Sequence, residues 1–170
     1  MSIPRKIIVS KIKDGLLVTL MPSRGKSSLR VILAKPDLAH ELSDPWADQA
    51  TALRITRLRR ELDHFLEGEF VDHNYIKPLF PRTEEVWEIR SVKPKPSIRI
   101  LGRFAEKDVF IALFQEDRNP LGGKDSPEWK RVIRATKAKW TAVFNQYPPH
   151  SGENHNEYLS NAADHQFDRR

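Results

Sequence analysis

Three arginines recur at a spacing that suits phosphate chemistry. Arg90 lies in residues 85–92, and Arg99 and Arg103 lie in residues 97–104. Both segments alternate apolar and polar residues as half-buried strands do. In the first, Trp87 and Ile89 share one face and Glu88 and Arg90 the other. In the second, Ile98, Ile100 and Phe104 oppose Arg99, Leu101 and Arg103. Paired as a meander, the two segments put these guanidiniums on one side of a sheet, with Lys93 and Lys95 flanking the connection. A guanidinium stays charged at any working pH, and its fork matches two phosphate oxygens. Such a face would hold an RNA or DNA backbone, or stabilise the charge that builds on a phosphodiester as it is cleaved. The same spacing also allows the arginines to pair with Glu84, Glu85, Glu88 or Glu106 as a solvated charged surface.

Other chemistries are excluded or find no support. The chain has no cysteine, which removes disulfides, thiolate metal sites, iron–sulfur clusters and a cysteine nucleophile. Gly122-Gly123-Lys124 lacks the spacing of a phosphate-binding loop, and there is no His-Glu-x-x-His or Gly-x-Ser-x-Gly pattern. His40, His64 and His73 are scattered, and His150, His155 and His165 fall near the C-terminus. No metal or other cofactor is therefore expected. With no histidine placed near the sheet, a general base is unassigned, Tyr147 being a distant candidate.

The elements that must position these groups fit in 170 residues, room for one domain with extensions. Residues 5–11 and 16–20 flank Asp14-Gly15, a hairpin signal, and residues 29–34 extend it to a possible meander. Asp44-Pro45 reads as a helix start, with Ala52, Ile55, Leu58, Leu62, Phe65 and Leu66 forming one apolar stripe before Gly68. Residues 109–114 are apolar on both faces, as a doubly covered strand is. A last helix opens at Ser126-Pro127 and carries Trp129, Val132, Ile133, Trp140, Val143 and Phe144 at helical spacing. Trp87, Trp129 and Trp140 fall on core stripes, whereas Trp46 is undecided. The division expected is a β-rich arm over 1–45, a central domain over 46–147 and a polar, disordered tail over 148–170.

The formal charge of +6 is uneven: net +4 over residues 1–45, +3 over 115–148 and −2 over 149–170. Such an excess marks either a solvated surface or the footprint of an acidic partner. No apolar run approaches the roughly 18 residues of a membrane span, and the N-terminus lacks the apolar core of a signal peptide. A soluble cytoplasmic protein is the expectation.

The run Val86-Trp87-Glu88-Ile89-Arg90, then Ile98-Arg99-Ile100-Leu101, then Val109-Phe110-Ile111-Ala112-Leu113, resembles the RelE/ParE toxin superfamily, in particular its phage-derived HigB-like branch. The likeness spans roughly residues 47–146, including the preceding helix and Tyr75-Ile76-Lys77-Pro78-Leu79. It implies an α+β fold, a small twisted antiparallel sheet with helices packed on it. It also implies a type II toxin that cleaves mRNA on the ribosome without metal and is neutralised by an antitoxin, often a helix-turn-helix protein. Matched to the family's motifs, Arg90 and Arg99 become the catalytic pair. Lys93, Lys95, Arg103, Arg118 and Lys124 are the expected RNA-binding set, of which Arg103 rests on spacing alone. Arg118 and Lys124 stand in a segment where the family is lysine-rich and this chain begins acidic. The alternative expectation is a non-catalytic protein on the same scaffold, binding nucleic acid or protein; a third is the gyrase-inhibiting branch.

Overall fold

The computed structural model describes residues 3–43, 45–123, 125–165 and 167. It has an α+β fold: a six-stranded sheet in the order β1-β2-β6-β5-β4-β3, covered by helices on both faces. The strands are β1 (Val18–Leu20), β2 (Val31–Ala34), β3 (Ile76–Pro78), β4 (Trp87–Ser91), β5 (Ile98–Glu106) and β6 (Val109–Asp117). The expected antiparallel meander β4-β5-β6 is present, but β2 runs parallel to β6, so the sheet is mixed. That parallel pair is possible because two helices, α2 (Pro36–Glu41) and α3 (Gln49–Leu66), belong to the long connection between β2 and the meander.

Helix α3 lays its stripe of Leu58, Leu62, Phe65 and Leu66 on one face of the sheet, against Ile32, Trp87, Ile89, Phe104 and Phe110. Its N-cap is Asp48, which accepts from the Thr51 N–H at 2.8 Å. The start expected at Asp44-Pro45 is therefore displaced along the chain, and Asp44 itself lies outside the described residues. Helix α4 (Pro127–Phe144) covers the opposite face, and Ser126 caps it by accepting from the Trp129 N–H. β6 is covered on both sides, with Phe110 and Ala112 toward α3 and Ile111 and Leu113 toward α4.

Two expectations are corrected. Residues 5–11 are not a strand: helix α1 spans Arg5–Lys13 and buries Ile8 against the α4 side of the sheet. Asp14-Gly15 closes this helix instead of a hairpin, the Asp14 N–H donating to the Ser10 carbonyl and Gly15 taking φ 71°. A short apolar run such as Ile7-Ile8-Val9 fits either state, and burial of one side chain on the sheet decides for helix. The expected meander survives only as β1 pairing β2.

The C-terminal stretch is the second correction, for it is packed rather than disordered. Tyr158 and Leu159 have no exposed surface, and His155, opening α5 (His155–Tyr158), has none either. They close over Trp87, whose ring meets Tyr158 at 4.5 Å, Phe104 at 5.2 Å, Phe167 at 5.5 Å and His155 at 5.8 Å. The three C-terminal rings, His155, Tyr158 and Phe167, are scattered among polar residues with no period in sequence, so their common target is not visible there. Arg30, also buried, fastens the same stretch to α3 by donating to the carbonyls of Phe65, Glu69 and Ser160 and pairing with Asp108 at 3.5 Å.

Two outcomes follow from these contacts. Between Leu101 and Gly102 the β5–β6 register jumps, leaving Leu113 as an extra residue. A Cβ at Gly102 would strike the Ile111 carbonyl oxygen and the Phe110 ring. Gly102→Ala is expected to cost about 2 kcal/mol of stability, read as a lower urea midpoint. His155 lies within 3.0 Å of the Ile76 carbonyl, to which Nε2 must donate, while its buried Nδ1 makes no hydrogen bond. Burial pulls this imidazole below its usual pKa. The unfolded chain then binds more protons below pH ~6.5, so stability is lost as pH falls through that value. The drop in Tm between neutral and mildly acidic pH should be smaller in His155→Gln than in the wild type.

Candidate functional site

On the α4 side of the sheet, β4 and β5 align Arg90 directly opposite Arg99, and β3 aligns Lys77 opposite Glu88. Like charges face to face across a pair of strands repel. Here Glu88 sits among them, its Oε2 3.1 Å from the Arg99 Nε and its Oε1 3.8 Å from both the Arg90 Nε and the Lys77 Nζ. Glu88 and Arg99 are almost fully buried, at 3% and 4% side-chain exposure, while Arg90 retains 24%.

These groups line a cleft of about 180 Å³, open to solvent, with Pro78, Leu79 and Phe80 on one wall and Trp129 and Ile133 of α4 on the other. Arg118, just beyond β6, completes it; its guanidinium bonds the Leu121 carbonyl and lies 5.7 Å from the Trp129 ring centroid. Among the described residues the lining therefore holds four cations and one carboxylate. At 4 Å and an effective dielectric of ~20, each pair of unit charges is worth about 4 kcal/mol, so a single carboxylate leaves the cluster short of negative charge. Burial already pulls the Arg99 guanidinium below its usual pKa; Glu88 opposes this, and Arg90 and Arg118 reinforce it. The Nε donors of Arg90 and Arg99 are buried and make no hydrogen bond of good geometry, nor does Glu88 Oε2. The Arg99 Nε is ion-paired with Glu88 Oε2, so the Arg90 Nε, 3.8 Å from Glu88 Oε1 and beside an excess of positive charge, is the donor an incoming anion would satisfy.

The structure thus brings together Arg90, Arg99 and Arg118 from the expected set, and separates the others. Arg103 is not a cleft residue: it donates to the Glu84 carbonyl at 2.8 Å and the Glu85 carbonyl at 3.4 Å, and lies over Trp140. Those bonds help hold Glu85 in the left-handed region, at φ 49°. Lys93 is exposed at the far end of the β4–β5 connection, and Lys95 donates to Ser97 Oγ at 2.8 Å; neither lines the cleft. Lys124 lies outside the described residues. Tyr147 packs against the second core under α4, where its carbonyl accepts from Trp140, so it offers no base here.

In the sequence Glu88 reads only as one of several carboxylates that pair with arginine on a solvated surface. Its isolation among cations was hidden because Lys77 comes from an edge strand too short to show a pattern. Among the described residues, no group of three or more His, Cys, Asp or Glu side chains is placed to hold a metal ion. No described helix is long and apolar enough to cross a membrane.

Breaking a buried ion pair from one side typically costs about 3 kcal/mol or more. Glu88→Gln should therefore lower Tm by several degrees at low ionic strength, and added inorganic phosphate should restore part of the loss by supplying the missing charge. A melt unchanged by the substitution, or a loss that phosphate cannot reverse, would contradict the charge balance described.

Compared with known proteins, the sequence matches no family model, no curated protein is significantly similar to it, and no solved structure matches the chain.

Proposed function

We propose that this protein is a cytoplasmic endoribonuclease of the toxin–antitoxin kind, cleaving mRNA on the ribosome through the Arg90–Arg99 cleft. The single observation that supports this reading most is the across-strand pair Arg90–Arg99 around buried Glu88, with Lys77 and Arg118 beside them in one open cleft.

The groups suffice for transfer of a phosphodiester to the neighbouring ribose oxygen. Glu88, the cleft's carboxylate, takes the 2′-hydroxyl proton; the 2′-oxygen attacks phosphorus; the 5′-oxygen leaves as a hydroxyl. Lys77, 3.8 Å from Glu88, supplies the proton to that leaving oxygen. Arg90, Arg99 and Arg118 hold the phosphoryl oxygens and neutralise the charge that builds there, in a site whose dipoles are already fixed. The products are a 2′,3′-cyclic phosphate and a 5′-hydroxyl end. Lys77 and Glu88 thus take the proton-transfer roles, with Lys93 and Lys95 outside the cleft. A toxin of this kind needs a partner that covers the cleft; a helix-turn-helix antitoxin is the class the resemblance implies.

Induced expression of the wild type should arrest growth and fragment translated mRNA, and Arg90→Ala should lower cleavage about 100-fold. Cleaved ends should carry the cyclic phosphate. If translating ribosomes and purified protein leave the RNA intact while salt-sensitive RNA binding persists, the same cleft belongs to a non-catalytic phosphate-binding protein and the nuclease reading is lost.

A further inference from the structure

A second, smaller pocket of about 140 Å³ lies beside the arginine cleft and shares Lys77, Pro78 and Phe80 with it. Its remaining wall is His73, Arg82, His165 and Phe167. The C-terminal stretch builds this pocket by crossing beside the β3 edge. The His165 carbonyl accepts from the His155 N–H at 3.1 Å, which anchors the segment to the buried α5 turn.

Among the described residues the lining is aromatic and cationic, without a carboxylate. The exposed rings of His73 and His165 stack at 5.0 Å with 23° between planes. Phe80, on the wall common to both pockets, is 38% exposed. Arg82 is committed to the protein: it donates to the Gly152 carbonyl at 2.6 Å and covers the Phe167 ring at 3.9 Å, so it stiffens the floor. What the pocket offers a ligand is therefore flat ring surface beside the Lys77 ammonium.

Every nucleobase has a π-face, and stacking on aromatic side chains next to a cationic backbone track is how single strands are held without sequence readout. An acidic peptide would use the cations but gain nothing from the rings. We propose that this pocket is a stacking subsite for the base adjoining the phosphate held by Arg90 and Arg99, so that single-stranded RNA passes around the β3 edge. The proposal rests on the reading of the cleft as an RNA site. It assigns the C-terminal stretch a part in binding substrate as well as in covering the core.

Fluorescence anisotropy with a short labelled single-stranded RNA tests it on the full chain. Phe80→Ala should weaken binding about tenfold, and Phe80→Trp should restore it. The double substitution His73→Ala with His165→Ala gives a second route should Phe80→Ala fail to fold. In the His73→Ala, His165→Ala double variant, which leaves the lining of the arginine cleft intact, the thermal shift produced by inorganic phosphate should stay as in the wild type. Variants that bind RNA like the wild type, while Arg90→Ala binds weakly, would overturn the subsite and leave the cleft reading standing. A wild type with no salt-sensitive RNA binding would overturn both, as would an acidic peptide that displaces RNA and loses its own affinity in Phe80→Ala.

Discussion

Trp87 has no exposed surface and meets rings from β5, α5 and the segment beyond it, so the five residues of β4 have one admissible orientation. Side chains alternate along a strand, and burying Trp87 and Ile89 toward α3 obliges Glu88 and Arg90 to point the other way. A one-residue slip would drive a carboxylate and a guanidinium into the apolar layer and expose the tryptophan. The arrangement of the cleft is thus enforced from beneath it, by packing on a face the cleft never touches.

The arginines of this chain divide by where they lie. Arg30 and Arg103 spend their donors on backbone carbonyls, joining separate segments, and Arg82 does the same with Gly152. Arg90 and Arg99 each give one bond to a nearby carbonyl, Asn74 and Ile98 respectively, and keep a buried Nε without a hydrogen bond. Arg30 Nε and Arg82 Nη1 are also buried without a hydrogen bond, so what sets Arg90 and Arg99 apart is their place in a cleft open to solvent, beside two further cations. That distinction, more than net charge, separates Arg103 from the cleft although it shares a face of β5 with Arg99.

The C-terminal stretch links the two faces. Its buried part, His155, Tyr158 and Leu159, supplies surface that Trp87 would otherwise lack, and Tyr158 donates to Glu85 at 2.7 Å. Its exposed part, at His165, reaches the rim of the arginine cleft through Lys77 and Phe80. The described part of this acidic segment is packed because His155, Tyr158 and Phe167 converge on one tryptophan and Leu159 joins the same core.

The sequence by itself determined the antiparallel meander β4-β5-β6, the doubly covered β6, the stripes of α3 and α4, and the facing of Arg90 and Arg99 away from Trp87. These follow from periods of 2 and 3.6 and from caps such as Ser126, all of which are local. Only the tertiary structure decided that residues 5–13 are helical, that β2 joins β6 in parallel, and that the C-terminal stretch packs. It also decided that Lys77 and Glu88 complete the cleft while Arg103, Lys93 and Lys95 stand apart. Each of these depends on which distant backbone carbonyl, ring or opposite charge lies within a few ångströms, and no spacing along the chain encodes that distance.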